Sequence, residues 1–289
     1  MILDVQEGNR AVVGPDSGHE GVVVTGASTG IGAAITRELR GGGFEVFATV
    51  RRAKDGAALE ALGVTPVLMD VTDVESISRA RNTVMSALGE RPLRGLVNNA
   101  GIARGGPLEL LPLEEFRRVL EVNLLGVISV SQAFLPILRA ARGRIINISS
   151  VSGRVAMPFS GPYTASKFAL EGISDTLRRE LMCVGVQVIV IQAGTVRTPI
   201  WDKLAATDAD VFRGTVYTEA VDRVRELALR GSERGLPPTS VARAVAGALT
   251  ARRPRPRILV VRGFGLGSRL LRLLPCRWAD WLIGRCIRC

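Results

Sequence analysis

The stretch Gly21-Val-Val-Val-Thr-Gly-Ala-Ser-Thr-Gly-Ile-Gly32 decides the fold. Three consecutive valines indicate a short buried strand, and a helical pattern that continues to Leu39 begins directly after the glycines. Glycines between a strand and a helix let the backbone approach a phosphate, and the amides at the helix N-terminus attract its negative charge. The sequence therefore predicts a phosphate-binding loop in the first strand–helix unit, with a simple tight turn as the alternative.

Strands and helices alternate without interruption from this loop to about residue 191. The strands are rich in valine and isoleucine, which is typical of a parallel sheet covered by helices on both faces. We therefore predict an α/β fold with a mostly parallel, seven-stranded sheet. The predicted strands are 22–24, 44–50, 64–69, 93–97, 144–148, 186–191 and 257–261, and the predicted helices after the first are 55–62, 73–88, 113–140, 162–184, 216–230 and 239–251.

The chain divides into one large domain and two terminal segments. Its 289 residues, of which 47% are hydrophobic, support a substantial buried core. We expect a flexible N-terminal extension over residues 1–20, a single domain over 21–262 and a basic amphipathic tail over 263–289. The regular pattern weakens after residue 191, and the segment near 194–230 is expected to form a lid over the carboxyl ends of the strands.

The net charge of +11 is located mainly near the C-terminus. Residues 252–289 contain ten arginines and one acidic residue, so the rest of the chain is close to neutral and no nucleic-acid groove is expected. Leucines and tryptophans are interspersed with these arginines. This pattern predicts either a surface helix for an anionic membrane or a helix packed over the domain or another subunit. Cys286 and Cys289 have no further ligands near them, so we predict surface thiols and no metal site.

Neither a membrane-spanning segment nor a secretory leader is predicted. No run of about 18 apolar residues occurs, and the first ten residues lack a basic segment followed by an apolar one. Four cysteines in a chain of this length do not form a disulfide framework, so we expect a reduced, cytoplasmic protein. The chain has one histidine, His19 in the N-terminal extension, which disfavours a Ser-His-Asp triad.

The end of the second strand predicts which dinucleotide the loop binds. Proteins that bind NAD commonly place an acidic residue there for the ribose hydroxyls, but this chain has Val50 followed by Arg51 and Arg52. A guanidinium can bind a 2′-phosphate in a bidentate manner. We therefore predict NADP(H) as the preferred cofactor, with NAD(H) as the alternative.

A second cluster of polar residues follows the fifth strand. Ser150 comes at the end of that strand, and Tyr163 and Lys167 lie four residues apart on one face of the next predicted helix. A free tyrosine titrates near about 10, and we expect the adjacent ammonium and a cationic nicotinamide to lower the pKa of Tyr163. Tyr163 can then give or take a hydroxyl proton while hydride moves, and Ser150 can donate to the developing oxyanion.

In order and spacing, these motifs resemble those of the short-chain dehydrogenase/reductase family over roughly residues 20–200. The matching residues are Thr25-Gly-x-x-x-Gly30-x-Gly32, Asp70-Val71, Asn98-Asn-Ala-Gly101, Asn123, Ser150 and Tyr163-x-x-x-Lys167. Phe47-Ala-Thr-Val-Arg51 and Phe168-Ala-Leu-Glu-Gly172 are most similar to the hydroxysteroid and retinol dehydrogenase branch. The family often has Pro-Gly after the sixth strand, where this chain has Ala193-Gly194.

The resemblance implies a doubly wound Rossmann fold and a role for each matching residue. Tyr163 would be the general acid/base, and Ser150 would hydrogen-bond the substrate oxygen. Lys167 would hold the nicotinamide ribose, and Asn123 would position a proton-relay water. The residues expected to bind the cofactor are Gly26, Ser28, Thr29, Gly30, Ile31, Gly32, Arg51, Asp70, Val71, Asn98, Ala100, Gly101, Tyr163, Lys167, Val196 and Thr198. The family's pairing of its two long helices, here 113–140 and 162–184, implies a homodimer or homotetramer.

The residues expected to face the substrate are mostly apolar, and they are Ser150, Val151, Val155, Met157, Phe159, Tyr163, Val196 and Trp201. We therefore predict a hydrophobic alcohol and its ketone or aldehyde, such as a steroid, a retinoid or another lipid-derived carbonyl. Arg104 and Arg154 are the basic exceptions, and we expect them at the solvated rim. Two alternatives stay open: a reductase of carrier-bound 3-oxoacyl chains, and a cofactor-binding regulatory protein without turnover.

Overall fold

The core of the fold is a parallel sheet of seven strands. The computed structural model describes residues 20–200, 209–262 and 274–287. The strands are β1 Gly21–Val24, β2 Glu45–Val50, β3 Thr65–Leu68, β4 Leu93–Asn98, β5 Arg144–Ser150, β6 Gln187–Ala193 and β7 Arg257–Val260. They lie in the order β3-β2-β1-β4-β5-β6-β7, and each neighbouring pair is parallel. The predicted α/β fold with a seven-stranded sheet is confirmed.

Helices cover both faces of this sheet. They are α1 Gly30–Gly41, α2 Ala57–Glu60, α3 Val74–Leu88, α4 Leu113–Leu120, α5 Gly126–Ala140, α6 Gly161–Glu180, α7 Thr218–Glu233, α8 Pro238–Thr250 and α9 Cys276–Ile287. The buried side chains form two apolar clusters, one containing α1 and α8 and the other containing α3 and α5. Both faces of the central strands are therefore buried, which explains their richness in valine and isoleucine.

The helix predicted over 55–62 is the element that differs most from expectation. It is reduced to one turn, α2, which follows a 3₁₀ turn at Ala53–Asp55. Leu59 is the buried residue of α2. Because one buried side chain contributes little apolar contact, tertiary packing does not stabilise a longer helix here.

The long helix predicted over 113–140 is present, but a π-helical turn at Glu121–Leu125 separates α4 from α5. The sequence has no continuous apolar run of about 18 residues, yet Leu113–Ala140 is long and apolar enough to meet a length and hydropathy criterion for a membrane span. Its inner side contributes Val130, Phe134 and Leu138 to the core. Packing against the sheet therefore accounts for the apolar residues on the inner side of this helix.

The strand order places a crevice at the carboxyl edge of the sheet. From β1 the chain adds β2 and β3 on one side and β4 to β7 on the other, so the loops after β1 and β4 diverge. Ligands of open α/β sheets bind at such a switch point. The predicted lid region contains a 3₁₀ turn at Ala209–Phe212 and helix α7. The division into extension, domain, lid and tail stays a prediction, since residues 1–19, 201–208 and 263–273 lie outside the described residues.

Candidate active site

The turn between β1 and α1 has a shape that requires glycine. Gly26 has a φ of +65°, and a Cβ on it would lie 2.8 Å from Cα of Ala100. A Cβ on Gly32 would lie 2.2 Å from the carbonyl oxygen of Gly26 and 2.5 Å from Nδ2 of Asn99. Thr29, which precedes α1, makes no side-chain cap to the first amides of the helix. The loop therefore presents backbone amides at close range, which suits a phosphate.

Two side chains hold this loop against β4. Oγ1 of Thr25 accepts hydrogen bonds from the amides of Asn99 and Ala100, each at 2.9 Å. Nδ2 of Asn99 donates to the carbonyl oxygens of Thr25 at 2.8 Å and Gly26 at 3.1 Å. Asn99 is part of the matching motif, but its sequence position alone predicts no role for it. The structure shows that Asn99 sets the shape of the phosphate loop.

Several residues expected at the cofactor have side chains that point into the core. Nδ2 of Asn98 donates to Oδ1 of Asn147 at 2.9 Å and to Oγ of Ser131 at 3.0 Å. Successive side chains of a strand point to opposite sides. Because the Asn98 side chain points into the core, the Asn99 side chain points outward to the loop. Val71 and Val196 are buried in the apolar clusters, and Ile31 packs against one of them. Because these side chains are buried, we expect Asn98, Val71 and Val196 to contact a cofactor mainly through backbone atoms, and their role there stays a prediction.

The two arginines after β2 differ in what they contact. Arg52 forms a bidentate ion pair with Asp55, with N–O distances of 2.9 and 3.0 Å. Arg51 is exposed and forms no hydrogen bond or ion pair with any residue that the structure describes. Of the two guanidinium groups, that of Arg51 is therefore the one available to a 2′-phosphate.

Asp70 shapes the turn that follows β3. Its Oδ1 accepts hydrogen bonds from the amide and the hydroxyl of Thr72, at 2.9 and 2.8 Å. These hydrogen bonds account for an aspartate at this position even in the absence of a cofactor. The contact of Asp70 with adenine therefore stays a prediction. Thr198, after β6, lies against the phosphate loop, because a Cβ on Gly30 would be 3.3 Å from Cβ of Thr198. The loops after β1, β4 and β6 thus meet, whereas Ser28 and Gly101 are exposed at their edge.

Ser150, Tyr163 and Lys167 meet at the end of β5. Ser150 is the last residue of β5, and its Oγ accepts a hydrogen bond from the amide of Ser152 at 3.1 Å. Nζ of Lys167 is buried, donates to the carbonyl oxygen of Ile148 at 2.8 Å and lies 5.6 Å from the centroid of the Tyr163 ring. The predicted sharing of one small volume by a phenol, a hydroxyl and an ammonium therefore agrees with this geometry.

The pKa values at this cluster differ from the expectation. Burial raises the pKa of Tyr163 above its ordinary value, and a hydrogen-bonding interaction with Ser150 acts in the opposite direction. Burial lowers the pKa of Lys167 to about 8, while the carboxylate of Glu171 acts to raise it. The expected lowering of the Tyr163 pKa is therefore absent in the protein alone. The ammonium of Lys167 is directed at the Ile148 carbonyl, and desolvation of the phenol dominates.

Asn123 lies in the π-helical turn between α4 and α5, where it is buried. Its Oδ1 accepts from the amide of Ile102 at 2.8 Å, and its Nδ2 donates to the Ile102 carbonyl at 2.9 Å and to Oγ of Ser166 at 3.1 Å. Oγ of Ser166 in turn donates to the carbonyl oxygen of Tyr163 at 2.7 Å. Asn123 thus links the loop after β4 to the helix of the tyrosine, and π-helical turns are frequent at functional sites. A relay water at Asn123 stays a prediction.

The loop between β5 and α6 carries Val151, Val155, Met157 and Phe159, and the last of these has an unusual backbone. Phe159 has a φ of +59°, which is strained for a bulky residue. Its ring meets that of Tyr217 edge-on, with 6.1 Å between centroids. The hydroxyl of Tyr217 donates to Glu109 at 2.6 Å. Tyr217 and Glu109 could not be predicted from the sequence, because they are 108 residues apart and share no motif.

The two arginines expected at the rim of the pocket both bind other side chains. Arg104 is paired with Glu115 at 2.8 Å, and Arg154 donates to Gln192 at 3.3 Å. Both guanidinium groups are therefore already bound to the protein. Trp201 lies outside the described residues. Within the described ranges, no group of three or more histidine, cysteine, aspartate or glutamate residues is placed to hold a metal ion.

The chain is similar to known proteins over most of its length. A family model described as short chain dehydrogenase matches residues 20–209. The NADPH-dependent 3-dehydrocapnine reductase of Ornithobacterium rhinotracheale is 35% identical over 266 residues, which cover 89% of this chain and 94% of that protein. Retinol dehydrogenase 5 of Homo sapiens is 36% identical over 253 residues, covering 82% and 79%. The structure of a short chain dehydrogenase/reductase from Burkholderia phymatum in complex with NAD is 26% identical, covers 88% of this chain and 93% of that one, and has a TM-score of 0.76.

Proposed function

The chain belongs to the short-chain dehydrogenase family, and on this basis we propose an NADP(H)-dependent oxidoreductase that interconverts a hydrophobic alcohol and its ketone or aldehyde. The observation that carries the proposal is the meeting of Ser150, Tyr163 and Lys167 beside the glycine loop at the carboxyl edge of the sheet. Relatives named as dehydrogenases and reductases agree with this reaction type.

The residues of the crevice fit a dinucleotide. The phosphate loop leaves no space for a Cβ at Gly26 or Gly32, as expected for the tight turn and the close helix–strand packing of a dinucleotide-binding loop. Arg51 is exposed at the end of β2, where the adenosine ribose of such a cofactor lies. The similar reductase is named NADPH-dependent and a similar structure contains NAD, so NADP(H) is proposed as preferred and NAD(H) as the alternative.

The chemistry of the site follows from the chain's own groups. The bound nicotinamide would supply or accept the hydride. Tyr163 donates its phenolic proton to the carbonyl oxygen in reduction and takes the proton back in oxidation. Ser150 donates a hydrogen bond to the same oxygen as negative charge develops on it. With the cofactor bound, the ammonium of Lys167 would hold its ribose and favour the phenolate form of Tyr163, which would offset the effect of burial on that phenol.

A hydrophobic substrate is proposed because apolar and aromatic side chains gather at the end of the loop between β5 and α6. The Phe159 ring meets that of Tyr217 edge-on, and the amide of Gly106 donates to the Phe159 carbonyl at 2.8 Å. Gly106 in turn packs on the ring of Phe212, which a Cβ on Gly106 would approach to 2.6 Å. Arg104 is bound to Glu115 and is not available to a substrate phosphate or carboxylate. This arrangement disfavours the alternative of a 3-oxoacyl-carrier reductase, for which basic residues at the mouth are expected.

The test of this function is an NADPH-oxidation assay across a carbonyl panel, with Tyr163→Phe as the background control. The panel contains a steroid ketone, a retinoid aldehyde, a 3-oxoacyl thioester and a small polar sugar. We expect kcat/KM for the steroid or retinoid to exceed that for the sugar by at least about tenfold, because several apolar groups are buried in the pocket. Turnover confined to the sugar would refute the substrate class. A preference for the thioester would favour the carrier reductase.

Arg51 is expected to determine the preference for NADP(H). Arg51→Ala removes charge-assisted hydrogen bonds to the 2′-phosphate, so the Kd of NADPH should rise by about 10- to 100-fold while that of NADH changes little. Both constants can be measured by nicotinamide fluorescence. Arg52→Ala is the matched control, because Arg52 is bound to Asp55. This substitution should leave both constants unchanged. Equal weakening by the two substitutions would contradict a specific role for Arg51.

We also propose a homodimer or homotetramer that uses the long helices. Leu113, Leu125 and Phe168 are exposed apolar residues on α4, the π turn and α6. Burying these side chains against a second copy would remove apolar surface from water. Light scattering on the purified protein should give a mass of two or four chains. A monomer at all working concentrations would contradict this proposal.

For the tail we propose peripheral contact of a cytoplasmic protein with an anionic membrane. Trp278 and Trp281 of α9 are 64% and 54% exposed, and the guanidinium of Arg285 lies 4.9 Å from the Trp281 ring. Exposed tryptophans beside arginines suit the interface of an anionic bilayer.

In a test with vesicles that contain phosphatidylserine, Trp278→Ser/Trp281→Ser should reduce sedimentation of the full chain by at least about tenfold. Phosphatidylcholine vesicles are the control for charge. If the double variant changes the oligomeric mass but not the sedimentation, α9 is a subunit contact and the membrane proposal fails.

A further inference from the structure

Glu171 is a buried carboxylate that the proposed reaction does not use. It lies on α6, four residues after Lys167, and is 8% exposed. Its Oε1 accepts a hydrogen bond from Nε2 of Gln192 at 3.0 Å, and its Oε2 accepts one from Nε of Arg257 at 2.8 Å. A buried charge is costly unless it is paired and hydrogen-bonded, and both oxygens of Glu171 meet this condition. Two hydrogen-bond donors therefore hold the carboxylate in one position.

The partners of Glu171 belong to a network that reaches the substrate loop. Arg257 of β7 also binds Asp175 at 2.9 Å, and Gln192 of β6 accepts a hydrogen bond from Arg154 at 3.3 Å. A Cβ on Gly153 would lie 3.1 Å from Cγ of Glu171. The turn after β5 therefore packs directly on this part of α6. This packing keeps water away from Glu171, which strengthens its electrostatic effect on nearby groups.

Lys167 is the ionisable group one helical turn before this carboxylate, and both side chains are buried. Residues four apart in a helix have Cβ atoms about 5–6 Å apart. Among the described residues, Tyr163 is the ionisable group whose ring lies 5.6 Å from Nζ of Lys167. Arg257 from β7 binds Glu171 directly, and Arg154 from the loop after β5 binds its partner Gln192. The guanidinium of Arg257 is shared with Asp175, so it only partly neutralises Glu171. Burial alone lowers the pKa of Lys167, and Glu171 acts against this effect.

We propose that Glu171 is a positioning residue whose carboxylate, held by Gln192 and Arg257, keeps the buried Lys167 in its ammonium form. This inference rests on the proposed function, in which that ammonium binds the ribose and assists Tyr163. Without Glu171 the lysine would lose its proton at a lower pH. The enzyme would then lose activity at mildly alkaline pH, where the wild type still works.

The test is the pH dependence of kcat/KM for carbonyl reduction in the full chain, from about pH 6 to about pH 10. Glu171→Gln should move the alkaline limb of the profile down by about one pH unit, and activity at about pH 9 should fall about tenfold. Glu171→Asp, which keeps the charge, should restore most of the wild-type limb. Asp175→Asn is the matched control, because it also removes a partner of Arg257 but lies about 12 Å from Lys167 along the helix. An unshifted limb in Glu171→Gln, or an equal shift in Asp175→Asn, would overturn the proposal.

Two further measurements keep this inference separate from folding and from turnover. If Glu171→Gln does not fold, Arg257→Gln decides, because removing the cation that neutralises Glu171 should move the alkaline limb to higher pH. A downward or absent shift in that variant would contradict the proposal. The pH dependence of the NADPH Kd can be measured without turnover. In each variant its alkaline limb should shift in the same direction as that of kcat/KM. A wild type that binds NADPH but reduces no carbonyl would refute the proposed function, while these binding profiles still decide the role of Glu171.

Discussion

NADPH binding is expected to weaken by at least about 100-fold when Gly32 is changed to alanine. The new Cβ would lie 2.2 Å from the carbonyl oxygen of Gly26 and 2.5 Å from Nδ2 of Asn99. Neither atom can retreat easily, since one is backbone and the other is hydrogen-bonded to Thr25 and Gly26. Relief of the overlap must displace the loop, and overpacking of this kind costs about 1–3 kcal/mol. Displaced amides can no longer converge on the pyrophosphate.

The measurement is fluorescence titration of NADPH, with thermal unfolding recorded on the same samples. Gly41→Ala is the matched control, because Gly41 ends the same helix and an added Cβ there meets nothing within 4 Å. That variant should bind NADPH like the wild type and keep or slightly increase its stability. Wild-type affinity in Gly32→Ala would show that the phosphate loop has a different shape or is not the cofactor site.

The second large effect is expected for Tyr163→Phe. Removing the phenolic hydroxyl removes the proton donor for the substrate oxygen, and Ser150 cannot replace it because a serine hydroxyl is a far weaker acid. We expect kcat to fall by about a thousandfold, within the range for loss of a general acid/base. The Kd of NADPH should change by less than about twofold, since the aromatic ring remains. Single-turnover NADPH oxidation separates the two quantities.

Tyr217→Phe is a matched control, because Tyr163 and Tyr217 are the two tyrosines of the chain. The hydroxyl of Tyr217 binds Glu109, and its ring contacts Phe159 beside the pocket. We expect this variant to alter KM for the substrate and to leave kcat within a few-fold of the wild type. Equal kcat in the wild type and Tyr163→Phe would overturn the role of Tyr163 as general acid/base. A wild type that binds NADPH but turns over no substrate would favour the binding protein without turnover.

Much of the fold could be predicted because its signals are local. The runs of valine and isoleucine indicate β1, β4, β5 and β6, and their helical neighbours follow from apolar periodicity over single segments. The spacing of Tyr163 and Lys167 likewise needs only the pitch of one helix. Predictions of this kind succeed since each depends on residues within about four turns of one another.

The parts that could not be predicted depend on where a backbone points or on contacts between distant segments. Side chains alternate between the two sides of a strand, and β4 ends at Asn98. The residue at which the strand ends therefore decides whether Asn98 or Asn99 faces the phosphate loop. The inward direction of Asn123 depends on a π-helical turn that no composition signal marks. The contact of Glu171 with Arg257 joins residues 86 positions apart.

The sequence by itself determined the parallel sheet, the glycine loop and the pairing of Tyr163 with Lys167, because valine-rich strands, glycine and helical spacing act over a few residues. The tertiary structure alone decided the protonation behaviour of the site. The ammonium of Lys167, four residues after Tyr163, favours a lowered pKa for Tyr163. In the folded protein burial raises the pKa of Tyr163, and Nζ of Lys167 donates to the Ile148 carbonyl. Desolvation is the largest cause of both shifts, opposed by Ser150 at Tyr163 and by Glu171 at Lys167. This desolvation arises only when separate segments pack together.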